Sequence, residues 1–380
     1  MAVVLEPLPA VLDRRHLHVF VSGPGEGESI ALALPDRGWF LVDGCYVQVD
    51  GVDQYPALVA YERWKAVDDP VEALAWTHPH ADHFDGIRET IERFPPRRVG
   101  VVVAEQPEPG SMCLESAAFA QHPLLPIDVR LRDVFNRVLS TFESIRGRWE
   151  ADPTSVWLLR DGSLDVGRTT IDVLFPTDPA IRTFYADPKL QERLATRANE
   201  LSAVVRLRFG ATTVLLGGDL PVRQGRRELR HGWPDVLASW PAAHEHGLGK
   251  VPHHGSIEAV ESSAFGPAGG ELVVTPYVKR RLPQPKDGDG LSSLLAGRAA
   301  VRMTADGGLL QASLHGAEVA RSELRDRLAH RSAPLTSGRS VASPRGALDT
   351  TWGFALDEEG RLQGLFAGAG VLSVVERFRI

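Results

Sequence analysis

Four potential metal ligands sit within the six residues His78-Pro79-His80-Ala81-Asp82-His83, directly after the apolar run Ala73 to Trp76. A strand that stops abruptly in a turn directs His78, His80, Asp82 and His83 toward one point. Imidazole together with carboxylate suits zinc, manganese or iron. The plain alternative is a solvated His-rich loop, which is how a lone His would be read. Ligand number and spacing favour a metal site here. A second stretch adds a carboxylate: Thr213 to Leu216 reads as a strand ending in Gly217-Gly218-Asp219. With its two oxygens, an Asp placed there can bridge two ions. A third adds a His pair, because Leu248 to Val251 reads as a short strand running into Pro252-His253-His254-Gly255-Ser256.

The H-x-H-x-D-H spacing resembles the signature of metallo-β-lactamase-fold hydrolases. The resemblance implies Zn2+ or Mn2+, one or two ions, with His78 and His80 facing a first metal and Asp82 and His83 a second. Lys250-Val251-Pro252-His253-His254-Gly255-Ser256 is similar to the K-V-x-H-H-G-S pattern of the branch that contains the DNA-uptake competence protein ComEC. Gly25-Glu26-Gly27-Glu28, followed by Asp43-Gly44-Cys45, is approximately similar to that branch's first hairpin. By this likeness one of the paired His ligates the second metal and the other could donate a proton to a leaving oxygen. Spacing does not choose between them, and the reading leans to His253 as ligand. The metal set implied is therefore His78, His80, Asp82, His83, Asp219 and His253, with Asp82 and His254 as catalytic candidates. Asp43 reads equally as a group that orients a ligand or as a turn residue. Ser256 reads as a helix N-cap.

The sequence also departs from the family. The further His usual before the Asp219 hairpin is missing, and Asn199 and Ser202 stand where the ComEC-like branch shows an Asn and a Ser. The first metal would then have His78, His80 and Asp219, completed by Asn199 or water. The Asn and His-Pro pair usual after the strand Leu272 to Thr275 are also absent, and Lys279-Arg280-Arg281 follows instead. Asn199, Ser256, Lys279 and Arg280 are the candidate substrate contacts. Arg223, Arg226, Arg227 and Arg230 form a similar run after Asp219. Such runs are ordinarily solvated faces; beside the site they would form a basic rim able to hold phosphate.

Alternating apolar residues predict strands at His16 to Ser22, Ser29 to Leu34 and Trp39 to Val42, an antiparallel opening. Helical spacing predicts Tyr55 to Ala66, then Phe84 to Phe94, whose N-terminus would face bound anions. Val101 to Ala104 reads as a buried strand. Leu131 to Trp149 is a strong amphipathic helix, read as packing or as a lid. His122 reads as a surface or core residue. Strands follow at Thr169 to Phe175 and Ala203 to Phe209, with a helix predicted between them at Pro188 to Arg197. Ala299 to Leu314 suggests a closing hairpin. Arg331 to Arg345 reads as a mobile loop. Thr351 to Leu356, Leu362 to Ala367 and Val371 to Val375 read as strands completing the second sheet or forming an added edge.

These elements predict an α/β fold, and the resemblance implies an αββα four-layer sandwich of the metallo-β-lactamase type. A single domain over 1–380 is expected, with a helical insertion at about 105–164 and a C-terminal extension from about 315. The apolar share of 43% and charged share of 24% are those of ordinary globular proteins. The net charge of −7 gives no global basic field, so an anionic substrate would need local charge. Two cysteines exclude a disulfide scaffold and a Cys-based zinc cluster. No signal peptide and no membrane span are expected, and the location expected is cytoplasmic. The function implied is metal-dependent hydrolysis by metal-activated hydroxide, of phosphodiester bonds in DNA, RNA or small nucleotides. The alternatives are a hydrolase of carbon esters, lactones or amides, and a non-catalytic scaffold with a degenerate site.

Overall fold

The computed structural model describes residues 5–25, 27–35, 37–102, 129–185, 198–224, 230–260, 263–265, 270–277, 282–283, 290, 293–294, 300–305 and 346–374. In chain order the strands are β1 (Leu5–Pro7), β2 (Leu17–Ser22), β3 (Ser29–Leu34), β4 (Gly38–Val42), β5 (Val47–Val49), β6 (Val52–Gln54), β7 (Val71–Trp76), β8 (Arg98–Val101) and β9 (Val156–Leu158). There follow β10 (Gly162–Val166), β11 (Thr169–Phe175), β12 (Val204–Phe209), β13 (Thr212–Leu216), β14 (Val222–Gln224), β15 (Arg230–Gly232), β16 (Leu248–Lys250), β17 (Glu271–Val274), β18 (Ala300–Met303), β19 (Thr351–Leu356), β20 (Leu362–Ala367) and β21 (Leu372–Val374). The helices are α1 (Pro56–Trp64), α2 (Ala81–Phe84), α3 (Ile87–Arg93), α4 (Val129–Ala151), α5 (Asp178–Tyr185), α6 (Trp233–Ser239) and α7 (Ile257–Val260).

The fold is mixed α/β. Among the described residues one sheet has nine strands, in the order β1-β20-β19-β2-β3-β4-β7-β8-β9, and another has eight, β10-β11-β12-β13-β16-β17-β18-β21. In each, an antiparallel half adjoins a parallel half. β2, β3 and β4 are antiparallel, whereas β4, β7, β8 and β9 are parallel. β10 to β13 are antiparallel, whereas β13, β16, β17 and β18 are parallel. The central strands of both sheets are largely buried on both faces, and their apolar residues divide by parity because successive side chains point to opposite sides. Ile30, Leu32, Phe40 and Ala73 share a core with Val173, Val205, Leu207, Val214 and Leu216 of the other sheet. Their neighbours Ala31, Leu41 and Leu74 pack instead with Leu58, Tyr61, Ile91, Phe142 and Ile145 from the helices α1, α3 and α4. On the second sheet Leu174, Val204 and Leu215 pack with Trp233, Val236 and Val260 from α6 and α7.

Several expectations need correction. The helix after the His motif begins earlier and is broken: α2 contains Asp82 and His83 themselves, and α3 starts after Asp85-Gly86. At the break the backbones of Gly44 and Gly86 lie so close that a Cβ on Gly44 would sit 2.6 Å from the Cα of Gly86. The buried strand read as Val101 to Ala104 runs over Arg98–Val101. The C-terminal strands divide: β19 and β20 enter the first sheet between β1 and β2, whereas β21 pairs with β18 at the edge of the second. The antiparallel partner described for β18 is β21; of the hairpin expected over Ala299 to Leu314, residues 299 and 306–314 lie outside the described residues. The helix at Leu131 to Trp149 is α4, and its Val138, Phe142 and Ile145 are buried in packing against the first sheet. His122, Pro188 to Arg197 and Arg331 to Arg345 lie outside the described residues. Among the described residues no helix is long and apolar enough to cross a membrane.

Candidate metal centre

The parallel strands of both sheets end at one place. β4 leads to Asp43, β7 to Thr77 and His78, β13 to Asp219, β16 to His253 and His254, and β17 to Thr275. The carboxyl ends of parallel strands are where open α/β sheets collect functional groups. The two sheets are joined there by a backbone hydrogen bond from Ala203 N to Thr77 O, 3.0 Å.

Asp82, His83, Asp219 and His254 each bring one ligand atom within 4.8 Å of the others. His254 Nε2 lies 3.2 Å from Asp82 Oδ2 and 3.3 Å from Asp219 Oδ2. His83 Nε2 lies 3.5 Å from the same Asp219 oxygen. What turns these rings inward is a fixed partner on each Nδ1. His83 Nδ1 donates to Asp43 Oδ2 at 2.7 Å, and His254 Nδ1 donates to the Thr275 carbonyl at 2.7 Å. His78 Nδ1 lies 3.1 Å from Thr77 Oγ1 and 3.2 Å from Ser202 Oγ. The Thr77 hydroxyl already donates to Asp43 Oδ2 at 2.6 Å, so the His78 ring is the donor to it. In all three rings Nε2 is left as the atom presented to the centre, the tautomer that a metal-ligating imidazole needs. The Nε2 atoms of His78 and His83 and Oδ1 of Asp219 are buried without a hydrogen-bond partner. Buried polar atoms are normally paired, and although Asp219 Oδ1 has the Lys250 ammonium 3.6 Å away, the two unpartnered imidazole nitrogens are donors that a cation would suit. The residues present therefore suit a divalent metal.

Neither the models of known protein families nor the curated proteins contain a match to this chain.

The electrostatics agree with the geometry. Burial disfavours a charged His254, but Asp219 and Asp82 outweigh it and raise the ring to about 9. His83 is raised well above its usual value in the same way, burial being overcome by Asp219, Asp43, Glu28 and Asp82. Asp219 is held far below the usual carboxylate range: His254 and His83 overcome its burial. His78 is pushed well down by burial and by the neighbouring His83 and His80. Both shifts favour the protonated rings of His83 and His254, protons that a bound cation would have to displace.

His80 caps α2 with extended backbone, and its ring lies edge-on to His78 at 4.8 Å between centroids. His253 is half-buried and stands outside the group of four, with Nδ1 3.1 Å from Ser256 Oγ. It is His254, not His253, that reaches the carboxylates of Asp82 and Asp219. His254 also has both nitrogens engaged and is poorly placed to donate a proton elsewhere. Ser256 precedes α7, and its carbonyl accepts from Ala259 and Val260, but its hydroxyl serves His253 rather than a cap. Asn199 lies in a 3₁₀ turn, Ala198–Leu201, where Oδ1 is buried without a partner and the carbonyl accepts from Ser202 N. Lys279 and Arg280 lie outside the described residues, as do Arg226 and Arg227.

The backbone is unusual at this place. Asp43, His253 and His254 have φ of 55°, 46° and 53°, left-handed values that cost energy in residues with a Cβ. Gly27 (φ 123°) is required for a different reason: a side chain there would collide with the Asp82 carbonyl oxygen.

Sequence reasoning missed the groups that set ring orientation, Thr77 and Thr275, and the aromatic Tyr277. The Tyr277 ring stacks on His254 at 5.0 Å with an interplanar angle of 20°. Their types are common and their spacing carries no motif, so no local signal marked them.

Proposed function

We propose that this chain is a metal-dependent hydrolase with the αββα sandwich of the metallo-β-lactamase type, and that it cleaves phosphodiester bonds. The observation that carries the reading is the set of three imidazoles, His78, His83 and His254, whose Nδ1 atoms are tied back while Nε2 faces the centre. The core shared by both sheets, with helices packed against their outer faces, supports the fold. The stretch Lys250 to Ser256, with its likeness to the ComEC-like branch, supports the substrate.

Asp82, His83, His254 and Asp219 would hold one ion, and His78 and His80 with the same Asp219 a second. A divalent ion bound there lowers the pKa of water and polarises a substrate oxygen. The chain's own residues do the rest. Asp43 and the Thr275 carbonyl keep His83 and His254 in one tautomer and one orientation. Asp219 keeps its charge at neutral pH and can balance cations on both sides. His253, half-buried and with Nδ1 3.1 Å from Ser256 Oγ, would be the group to give a proton to the leaving oxygen.

The test uses purified protein with Zn2+ or Mn2+ against single-stranded DNA, RNA, a cyclic dinucleotide and a lactone. Phosphodiester cleavage that disappears in His80→Ala and in excess chelator is expected. Asp82→Ala with His83→Ala should lose most of the bound transition metal by elemental analysis. Cleavage that persists in His80→Ala with chelator, or equal metal in wild type and the double variant, refutes the reading. Turnover of the lactone alone moves the chain to carbon-ester chemistry.

A further inference from the structure

Behind the candidate centre lies a fully buried ion pair that the scheme above does not use. Lys250 has no exposed surface, and Glu28 is 1% exposed. The Lys250 ammonium contacts the Glu28 carboxylate directly. It also donates to the carbonyl of Gly218 at 2.8 Å and lies 3.6 Å from Asp219 Oδ1. Glu28 is held in turn by the Thr275 hydroxyl, which donates to Oε2 at 2.7 Å, and its own backbone N–H donates to the Asp82 carbonyl at 3.0 Å. Glu28 opens the edge of the first sheet just before β3, whereas Lys250 ends β16 in the second. The pair therefore crosses from one sheet to the other and grips both ligand-bearing loops at their backbones.

A buried ion pair is weak evidence for stability, since desolvation offsets the attraction. A hydrophobic pair would fill the same space without that cost. What a hydrophobic pair cannot do is fix the Gly218 carbonyl and stand beside one oxygen of Asp219. Asp219 turns Oδ2 toward His83 and His254 and Oδ1 toward Lys250. We propose that Glu28 and Lys250 are positioning residues, a cross-sheet brace that sets the aim of Asp219 and hence the affinity of the centre for metal without touching the ion. The inference rests on the metal-binding reading given above.

Charge and aim predict different results. If the pair acted only through its field, Glu28→Gln would leave a net positive charge and weaken cation binding, whereas Lys250→Met would leave a net negative charge and strengthen it. If the pair aims Asp219, both changes weaken binding, and so does the charge-neutral double variant Glu28→Gln/Lys250→Met. The probe is Co2+, titrated into chelator-stripped wild-type and variant protein, with affinity read by competition and coordination read from the visible absorption of the bound ion. A loss of about 10- to 100-fold is expected in all three variants, the range found when groups supporting metal ligands are removed. An altered visible spectrum is expected as well, which a merely structural role would not produce. Opposite signs for the two single variants, or unchanged affinity and spectrum in folded protein, overturn the proposal. If the single variants fail to fold, Thr275→Val removes the hydroxyl that holds Glu28, a hydroxyl that also lies 3.4 Å from His254 Nδ1, but keeps the carbonyl on which the His254 ring rests, and a smaller loss in the same direction is expected; no loss overturns it. Wild-type protein that takes up no Co2+ overturns the metal-binding reading itself, and this inference falls with it.

Discussion

At the scale of single residues, orientation depends on groups that contribute no ligand. Asp43, buried just past β4, accepts from Thr77 N and Thr77 Oγ1 after β7 and from His83 Nδ1 of α2. Asp43→Ala should lower metal affinity about 10- to 100-fold, because His83 loses the partner that holds its tautomer. Competition with a chromophoric chelator measures this, and an unchanged affinity counts against the orienting role. Far from the centre, His18 is buried with Nε2 donating to the Asp13 carbonyl, and burial lowers its pKa to about 4. The unfolded chain takes up this proton near pH 6.5, the folded chain only near 4. Stability from the neutral ring is thus complete above pH 6.5 and declines as the pH falls, by about 3 kcal/mol at pH 4. His18→Gln should show a smaller fall in denaturant midpoint between pH 7 and 4 than wild type; equal falls exclude His18 as a cause. The ligand types were legible because six consecutive positions gave four of them. Of their supports Asp43 was legible only as one of two readings, and the contacts that others make were not legible at all, because Ser202 meets His78 across 124 positions of sequence and Thr275 meets Glu28 across 247.

At the scale of elements, α4 supports the strand that delivers the His motif. Phe142 lies against Trp76 at 4.4 Å between ring centroids, and Arg137 donates to Asp85 at 2.6 Å. Phe142→Ala should destabilise the fold by roughly 3 to 5 kcal/mol, the usual cost of emptying a buried aromatic site. Urea unfolding checks this, and a loss under 1 kcal/mol means that α4 packs loosely. The apolar spacing of α4 announced a helix but not its partner. For the same reason α2 was placed late: helical periodicity marks long elements, and a four-residue turn holding two candidate ligands has too few residues to show one. Where the pattern was long and buried, as in β3, β4, β11 and β12, strand positions followed the sequence closely.

At the scale of the whole molecule, β19 and β20 complete the first sheet rather than decorate it. β19 lies between β2 and β20, β20 bonds to β1, and Trp352, Phe354 and Leu365 belong to the core shared by both sheets. Alternation told where these strands were but not which neighbours they would pair with, since a period of two is the same for any partner. A chain ending at Arg345 would expose the edge of β2 and part of that core. It should aggregate or be rapidly digested under limited proteolysis; a compact, soluble truncated chain with wild-type circular dichroism would show that the first sheet closes without these strands.

The candidate ligands on the two sheets meet although Asp82 and His254 are 172 positions apart. An ion held by both can bind only while the sheets keep their native placement, so binding and opening compete by mass action. At a free ion concentration 100 times Kd, this linkage stabilises the closed form by about 2.7 kcal/mol. Backbone amides of β7 and β13, in different sheets, should then slow by one common factor in hydrogen exchange when Zn2+ is added. Slowing of one sheet alone would mean that the ion is held from one side and that the sheets separate without releasing it.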